Sequence, residues 1–156
     1  MKKENKNSKV ITTNRKAHFN YFLSDFTECG IALYGTEIKA LRQNGANIND
    51  AYVVIRNNEM EVINMHIPHY KEGNIFNHDP MRSRKLLLHK KEIRNFTLKI
   101  RGNGLTIVPT KLYLRDGKAK LEIALAKGKK MYDKRESEKK RDDARYIDRA
   151  LKEANK

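Results

Sequence analysis

Apolar and polar positions alternate along much of the chain, and the alternation breaks at residues that favour turns. Residues 105–114 run into Asp116-Gly117 and return through Ala119, Leu121, Ile123 and Leu125, with Lys118, Lys120 and Glu122 on the opposite face. A period of two marks a strand with one buried face, and Asp-Gly tolerates the positive φ of a type I′ turn, so a hairpin is predicted here. A second hairpin is predicted where Tyr52-Val53-Val54-Ile55 meets Asn57-Asn58 and returns through Met60 and Val62, between Glu59 and Glu61. Earlier, Phe19, Tyr21 and Leu23 alternate with Asn20, Phe22 and Ser24, which suggests a strand partly covered on both faces. Ile31-Ala32-Leu33-Tyr34 resumes it after Gly30.

Two segments change period. In residues 35–45, Ile38 and Leu41 share a face, Thr36 is placed to cap, Glu37 suits the positive end of the dipole and Gly45 suits the stop, which predicts a short helix. In residues 88–100, Ile93, Phe96 and Ile100 fall at i, i+3 and i+7, with Gly102 beyond, which predicts another. Five or six strands without βαβ alternation point to a mainly β fold, a small antiparallel OB-like β-barrel with two or three short flanking helices.

The flanks differ in texture. Between Met1 and Ile11 the only apolar residue is Val10, too little to offset ordering entropy, so residues 1–11 are expected to form a flexible arm and residues 12–128 the barrel. Residues 129–156 hold few large apolar side chains, chiefly Met131, Tyr132, Tyr146, Ile147 and Leu151. Glu136 with Lys140 and Asp148 with Lys152 are helix-type pairs worth only a few tenths of a kcal/mol each, so this basic tail is expected to become helical on binding.

Charge adds a partner class. The chain carries 34 Lys+Arg against 19 Asp+Glu, a formal +15, and such an excess attracts polyanions and releases their counterions. No stretch approaches the roughly 20 apolar residues of a membrane span, and Met1 to Lys9 has no apolar core behind its basic residues, so neither a membrane partner nor a signal peptide is expected. A single cysteine, Cys29, allows no internal disulfide and no Cys-based zinc site, in keeping with a reducing cytoplasm.

Candidate catalytic sets are absent from the sequence, and an enzyme is not expected. His66-Ile67-Pro68-His69 lacks Cys partners for zinc, and Asn77-His78-Asp79-Pro80 reads as a turn capped by its Asp. No phosphate loop, nucleophile elbow or paired-carboxylate motif occurs, so no cofactor is expected either. The basic clusters are more informative. Asn14, Arg15 and Lys16 precede the first strand, Arg82, Arg84, Lys85, Lys90 and Lys91 surround Leu86-Leu87-Leu88, and Lys127, Lys129 and Lys130 follow the last strand. One exposed leucine among such charges is placed to pack on an unstacked base. In the tail, Arg141, Arg145 and Arg149 recur every four residues and form one stripe on a helix, with Ala144, Ile147 and Leu151 on another.

With these segments placed, the sequence resembles the SmpB (SsrA-binding protein) family along nearly its whole length. The resemblance rests on Asn14-Arg15-Lys16-Ala17, Glu28-Cys29-Gly30-Ile31, Gly35-Thr36-Glu37-Ile38-Lys39-Ala40-Leu41-Arg42 and Asn77-His78-Asp79-Pro80. Arg84-Lys85-Leu86-Leu87-Leu88-His89-Lys90, Gly128-Lys129-Lys130 and Asp133-Lys134-Arg135 continue it. It implies an OB-type barrel that binds the tRNA-like domain of tmRNA and accompanies it into the A site of a stalled ribosome, where the tail takes the place of codon and message. The family's RNA-facing surface maps onto Asn14, Glu28, Leu87 and His89, with Lys85 and Lys90 beside them, and Arg15, Lys16, Arg42 and Lys127 complete the candidate set. The tail motif, Gly128, Lys129, Lys130, Tyr132, Asp133, Lys134 and Arg135, would enter the decoding centre of small-subunit rRNA, with Arg141, Arg145 and Arg149 following along the mRNA channel. Elongation factor Tu would be met indirectly through tmRNA, by a monomer. Glu28 is the odd member, an acid on a surface meant for RNA, expected either to accept from base or sugar donors or to orient Arg42 or a lysine. A generic OB-fold RNA binder or initiation-type factor is the alternative, disfavoured by 8% aromatics and no Trp.

Overall fold

A computed structural model describes residues 8–72 and 77–129. In chain order its elements are β1 (Ser8–Thr13), α1 (Arg15–Asn20), β2 (Tyr21–Ile31), α2 (Gly35–Asn44), β3 (Tyr52–Arg56), β4 (Glu59–Ile63), β5 (Arg84–Leu87), α3 (Lys90–Ile100), β6 (Thr106–Arg115) and β7 (Lys118–Gly128). All strand pairings are antiparallel: β6–β3–β4–β5–β2–β7 returns to β6, so six strands close into a ring, with a single register pair, Val53 with Ile107, joining β3 to β6. β1 extends along the far part of β6, from Thr13 opposite Lys111 to Ser8 opposite Arg115.

Both predicted hairpins form, on turns whose left-handed backbone explains their composition. Asn57 and Asn58 have φ of 52° and 61°, and Asp116 and Gly117 have 52° and 78°, the sign that type I′ requires. The inward set of β6 and β7, including Ile107, Leu112, Leu121, Ile123 and Leu125, meets Met60, Val62 and Leu86 in one core. Burying each such side chain contributes about 1.5–3 kcal/mol. Pro109, which has no N–H for a ladder, stands beside a bulge in β6. There Thr110 is buried and its hydroxyl donates to Glu122 Oε1 at 2.8 Å.

The structure corrects several expectations at the edges of elements. Ser8 to Ile11, expected within a flexible arm, lie in β1, whose backbone is paired although its side chains are largely exposed. Phe19 and Asn20, expected at the start of a strand, end α1, which Asn14 caps by accepting from Ala17 N at 3.0 Å. β2 runs through Gly30 without a break and stops at Ile31, so Ala32, Leu33 and Tyr34 lie outside it. Tyr34, and not Thr36, is the N-cap residue of α2, with its N–H donating to Glu37 at 2.8 Å, while Gly45 with φ of 73° ends that helix as expected. α3 starts at Lys90, because His89 before it still has extended backbone.

Strand β5 has no counterpart among the expected elements and fixes one wall of the site. Its alternation places Arg84 and Leu86 inside and Lys85 and Leu87 outside. Arg84 is fully buried: Nε donates to Glu37, while its terminal nitrogens donate to Met65 O at 2.6 Å and Pro80 O at 3.1 Å. Arg82 reaches the other oxygen of Glu37 at 2.5 Å. Burial alone disfavours the Glu37 carboxylate, but hydrogen bonds from Arg82, Tyr34 and Arg84 outweigh it and leave its pKa below the ordinary value. Because a slip of one residue would turn Leu87 inward, this buried network determines which side chains β5 presents.

Candidate nucleic-acid interface

Where β2 and β5 end and β4 and β7 begin, a cleft of about 480 Å³ opens. Its walls include Glu28 from β2, Lys85 and Leu87 from β5, His89 and Lys90 at the start of α3, and Lys120 from β7. Five sequence-predicted residues, Glu28, Lys85, Leu87, His89 and Lys90, therefore meet in one place. Leu87 is 54% exposed, an apolar surface in a cleft lined by Lys85, Lys90 and Lys120 and by the carboxylates of Glu28, Glu59 and Glu92, whereas Leu86 is core and Leu88 is partly buried against that core. Gly30 makes the approach of Leu87 possible: a Cβ there would sit 3.2 Å from the Leu87 Cβ. Lys85 pairs with Glu59 at 3.2 Å on the surface, while Lys90 and Lys120 join no ion pair among the described residues. Beneath the cleft Cys29 donates to Leu121 O at 3.2 Å, and burial pushes its thiol up to about 12, so it is neutral packing.

Glu28 is not held as expected. Its Oε1 accepts from the Tyr113 hydroxyl and from Arg115 at 2.8 Å, and among the described residues neither Arg42 nor a lysine bonds to it. Burial first, and then the bond to Glu28, raises the Tyr113 pKa well above the ordinary phenol value, so Tyr113 remains a donor. Arg42 is exposed beside the β6–β7 turn, donating to Gly117 O at 3.4 Å.

The first basic cluster lies at the opposite end of the strands. Gly30 faces Lys120 in the β2–β7 register and Tyr21 faces Gly128, a separation of roughly 30 Å at about 3.3 Å per residue. Here a second cleft of about 430 Å³ is lined by Asn14, Lys16, Asp50 and Tyr52 among others. Asn14, predicted to face RNA, is instead 1% exposed and turned inward: besides capping α1 it donates to Ile48 O at 3.1 Å and Pro109 O at 2.8 Å. Lys16 is exposed and bonds Asp50 at 2.6 Å, which raises its pKa, while Arg15 is exposed beside it. Lys127 and Gly128 are exposed at the same end, and Lys129 holds its ammonium 5.1 Å from the ring of Phe22 while its backbone N–H donates to Asn20 O at 2.9 Å. Lys130, Tyr132, Asp133, Lys134, Arg135, Arg141, Arg145 and Arg149 lie outside the described residues.

The Asn77-His78-Asp79-Pro80 motif has a structural explanation. His78 is buried; Ile67 O can only accept, so Nε2 carries a proton toward it at 3.0 Å, and Nδ1 shares a hydrogen bond with the Thr36 hydroxyl at 3.0 Å. Asp79 accepts from Met81 N at 2.9 Å, the Asx turn expected there.

The family model described as SmpB protein matches residues 11–153. The chain belongs to the SmpB family. Similar relatives are named SsrA-binding protein: that of Trichodesmium erythraeum is 50% identical over 97% of this chain and 98% of its own, and that of Enterococcus hirae is 54% identical over 92% and 94%. A solved structure described as "tmRNA-SmpB: a journey to the center of the bacterial ribosome" superposes with a TM-score of 0.66 at 40% identity, covering 79% of this chain and 87% of that one. Against the SmpB-type candidate set, the structure unites five barrel residues in the cleft, separates Asn14, Arg15 and Lys16 from them, and adds Lys120. The outward alternation of β7 already marked Lys120 as solvent-facing, but its cleft position follows from pairing with Gly30 on a distant strand.

Proposed function

We propose that this chain binds the tRNA-like domain of tmRNA and delivers it to the A site of stalled ribosomes, as a non-catalytic adaptor in trans-translation. The observation that carries the reading is the cleft in which Leu87 stands exposed among Lys85, Lys90 and Lys120. Cations there neutralise phosphates and the leucine packs on a base freed from its stack, a combination suited to folded RNA with unpaired nucleotides. The relatives' name and the family's ribosome-associated structure support the choice of RNA. In this reading residues 129–156 occupy the empty decoding centre and mRNA channel, the protein acts as a cytoplasmic monomer, and elongation factor Tu is met only through tmRNA. The test is purification of the full chain from cells followed by sequencing of the bound RNA. One abundant tRNA-like species is expected; a scatter of unrelated RNAs would favour a generic RNA-binding role.

A further inference from the structure

A carboxylate on a surface that receives RNA is repelled by phosphates, so Glu28 needs a reason to be there. On the outer face of β2, β7 and β6, Glu28 stands opposite Glu122 and Tyr113 opposite Lys120, with β7 lying between β2 and β6. The bond from Tyr113 to Glu28 therefore spans β7 and draws the carboxylate across the sheet, and Arg115 adds its bond at 2.8 Å from the same side. Both bonds go to Oε1, while 33% of the Glu28 side chain stays exposed at the edge of the cleft. A carboxylate has about four acceptor sites, so this one is fixed in place with acceptor capacity to spare.

We propose that Tyr113 and Arg115 are positioning residues for RNA recognition: they hold Glu28 as a fixed acceptor for the amino group of an RNA base. Resting on the RNA-binding reading of the cleft, the inference adds base selection to a surface whose lysines only neutralise phosphate. A carboxylate accepts from an exocyclic amino group such as cytosine N4 and rejects a carbonyl presented at the same place. Fixing it beforehand spares the ordering cost of a long side chain at the moment of binding. The phenol suits the task, because it stays protonated across the physiological range. Arg115 acts through Glu28, to which it donates at 2.8 Å.

The experiment is a double-mutant cycle in the full chain, read as equilibrium affinity for a tRNA-like transcript with an acceptor arm and unpaired loop. Tyr113→Phe keeps the ring and removes only the hydroxyl, and is expected to weaken binding about tenfold in the wild-type background. In a Glu28→Gln background the same change is expected to cost about twofold or less, because the group it positions has gone. Arg115→Gln is expected to weaken binding with the slope of log affinity against log salt unchanged, since a side chain that neutralised a phosphate directly would lower that slope by about one when removed. Equal losses from Tyr113→Phe in both backgrounds, no loss at all, or a reduced salt slope for Arg115→Gln would overturn the proposal. A wild-type chain that fails to bind the transcript would overturn the RNA-binding reading itself, a different result from a cycle without coupling.

Discussion

At one end of the strands Lys85, Lys90 and Lys120 surround an exposed leucine; at the other, Lys16 and Asn14 line a cleft of similar volume. The residues look alike in sequence, yet their chemistry is spent differently. Asn14 uses its side chain on three internal hydrogen bonds, and Lys16 is matched by Asp50 at 2.6 Å. Lys90 and Lys120 have no such match among the described residues, and the apolar surface of Leu87 is uncovered. Exposed Arg15 and Lys127 at the other end join no ion pair among the described residues either, so what separates the two ends is the uncovered leucine and not a count of basic residues.

The contrast can be broken most severely from beneath the cleft. Arg84→Met leaves the fully buried Glu37 with only Arg82 and the Tyr34 N–H of its three partners, and urea denaturation is expected to show a loss of about 3–5 kcal/mol. At the opposite end Asn14→Ala removes the hydrogen bonds to the Ile48 and Pro109 carbonyls, of which Ile48 O keeps the Ala51 N–H at 3.1 Å, and uncaps α1, with an expected loss of about 2–3 kcal/mol by the same method. If Asn14 touched RNA instead, its removal would appear in RNA affinity with little change in stability. Leu87→Asn should do the reverse, weakening binding of a tRNA-like transcript about tenfold while changing stability by no more than about 0.5 kcal/mol. The smallest effect belongs to Lys16→Gln. A pair this exposed is screened by solvent and contributes little, and transcript affinity should change less than about twofold in a filter-binding assay.

The legible parts of the fold were those whose determinants are local. Asn57-Asn58 and Asp116-Gly117 announce their turns because few other residues accept the required backbone, and each hairpin pairs neighbours in sequence. β5 was illegible because its inward residues are Arg84 and Leu86, and a buried arginine hides the period of two. Its partner Glu37 lies 47 positions away, so nothing nearby signals that the charge is compensated. β1 was missed for a related reason: no buried face organises its side chains, and its order comes from backbone bonds to β6. A signal for α1 did exist, since Asn14 three residues before Ala17 is an N-cap pattern, but the alternation from Phe19 onward competed with it. At the site, Leu87 and His89 were legible through the family motif, whereas the hold of Tyr113 and Arg115 on Glu28 depends on three strands meeting in space.

The central claim is that the Glu28–Leu87–Lys120 end of the barrel, and not the Asn14–Asp50 end, receives the folded RNA. Backbone amide NMR of the full chain during titration with a tRNA-like transcript tests it directly. The expected result is perturbation concentrated at Glu28 to Gly30, Lys85 to Lys90 and Lys120, with Asn14 to Ala17 and Asp50 unmoved. Perturbation centred on Asn14, Lys16 and Asp50, with the Leu87 cleft silent, would contradict it.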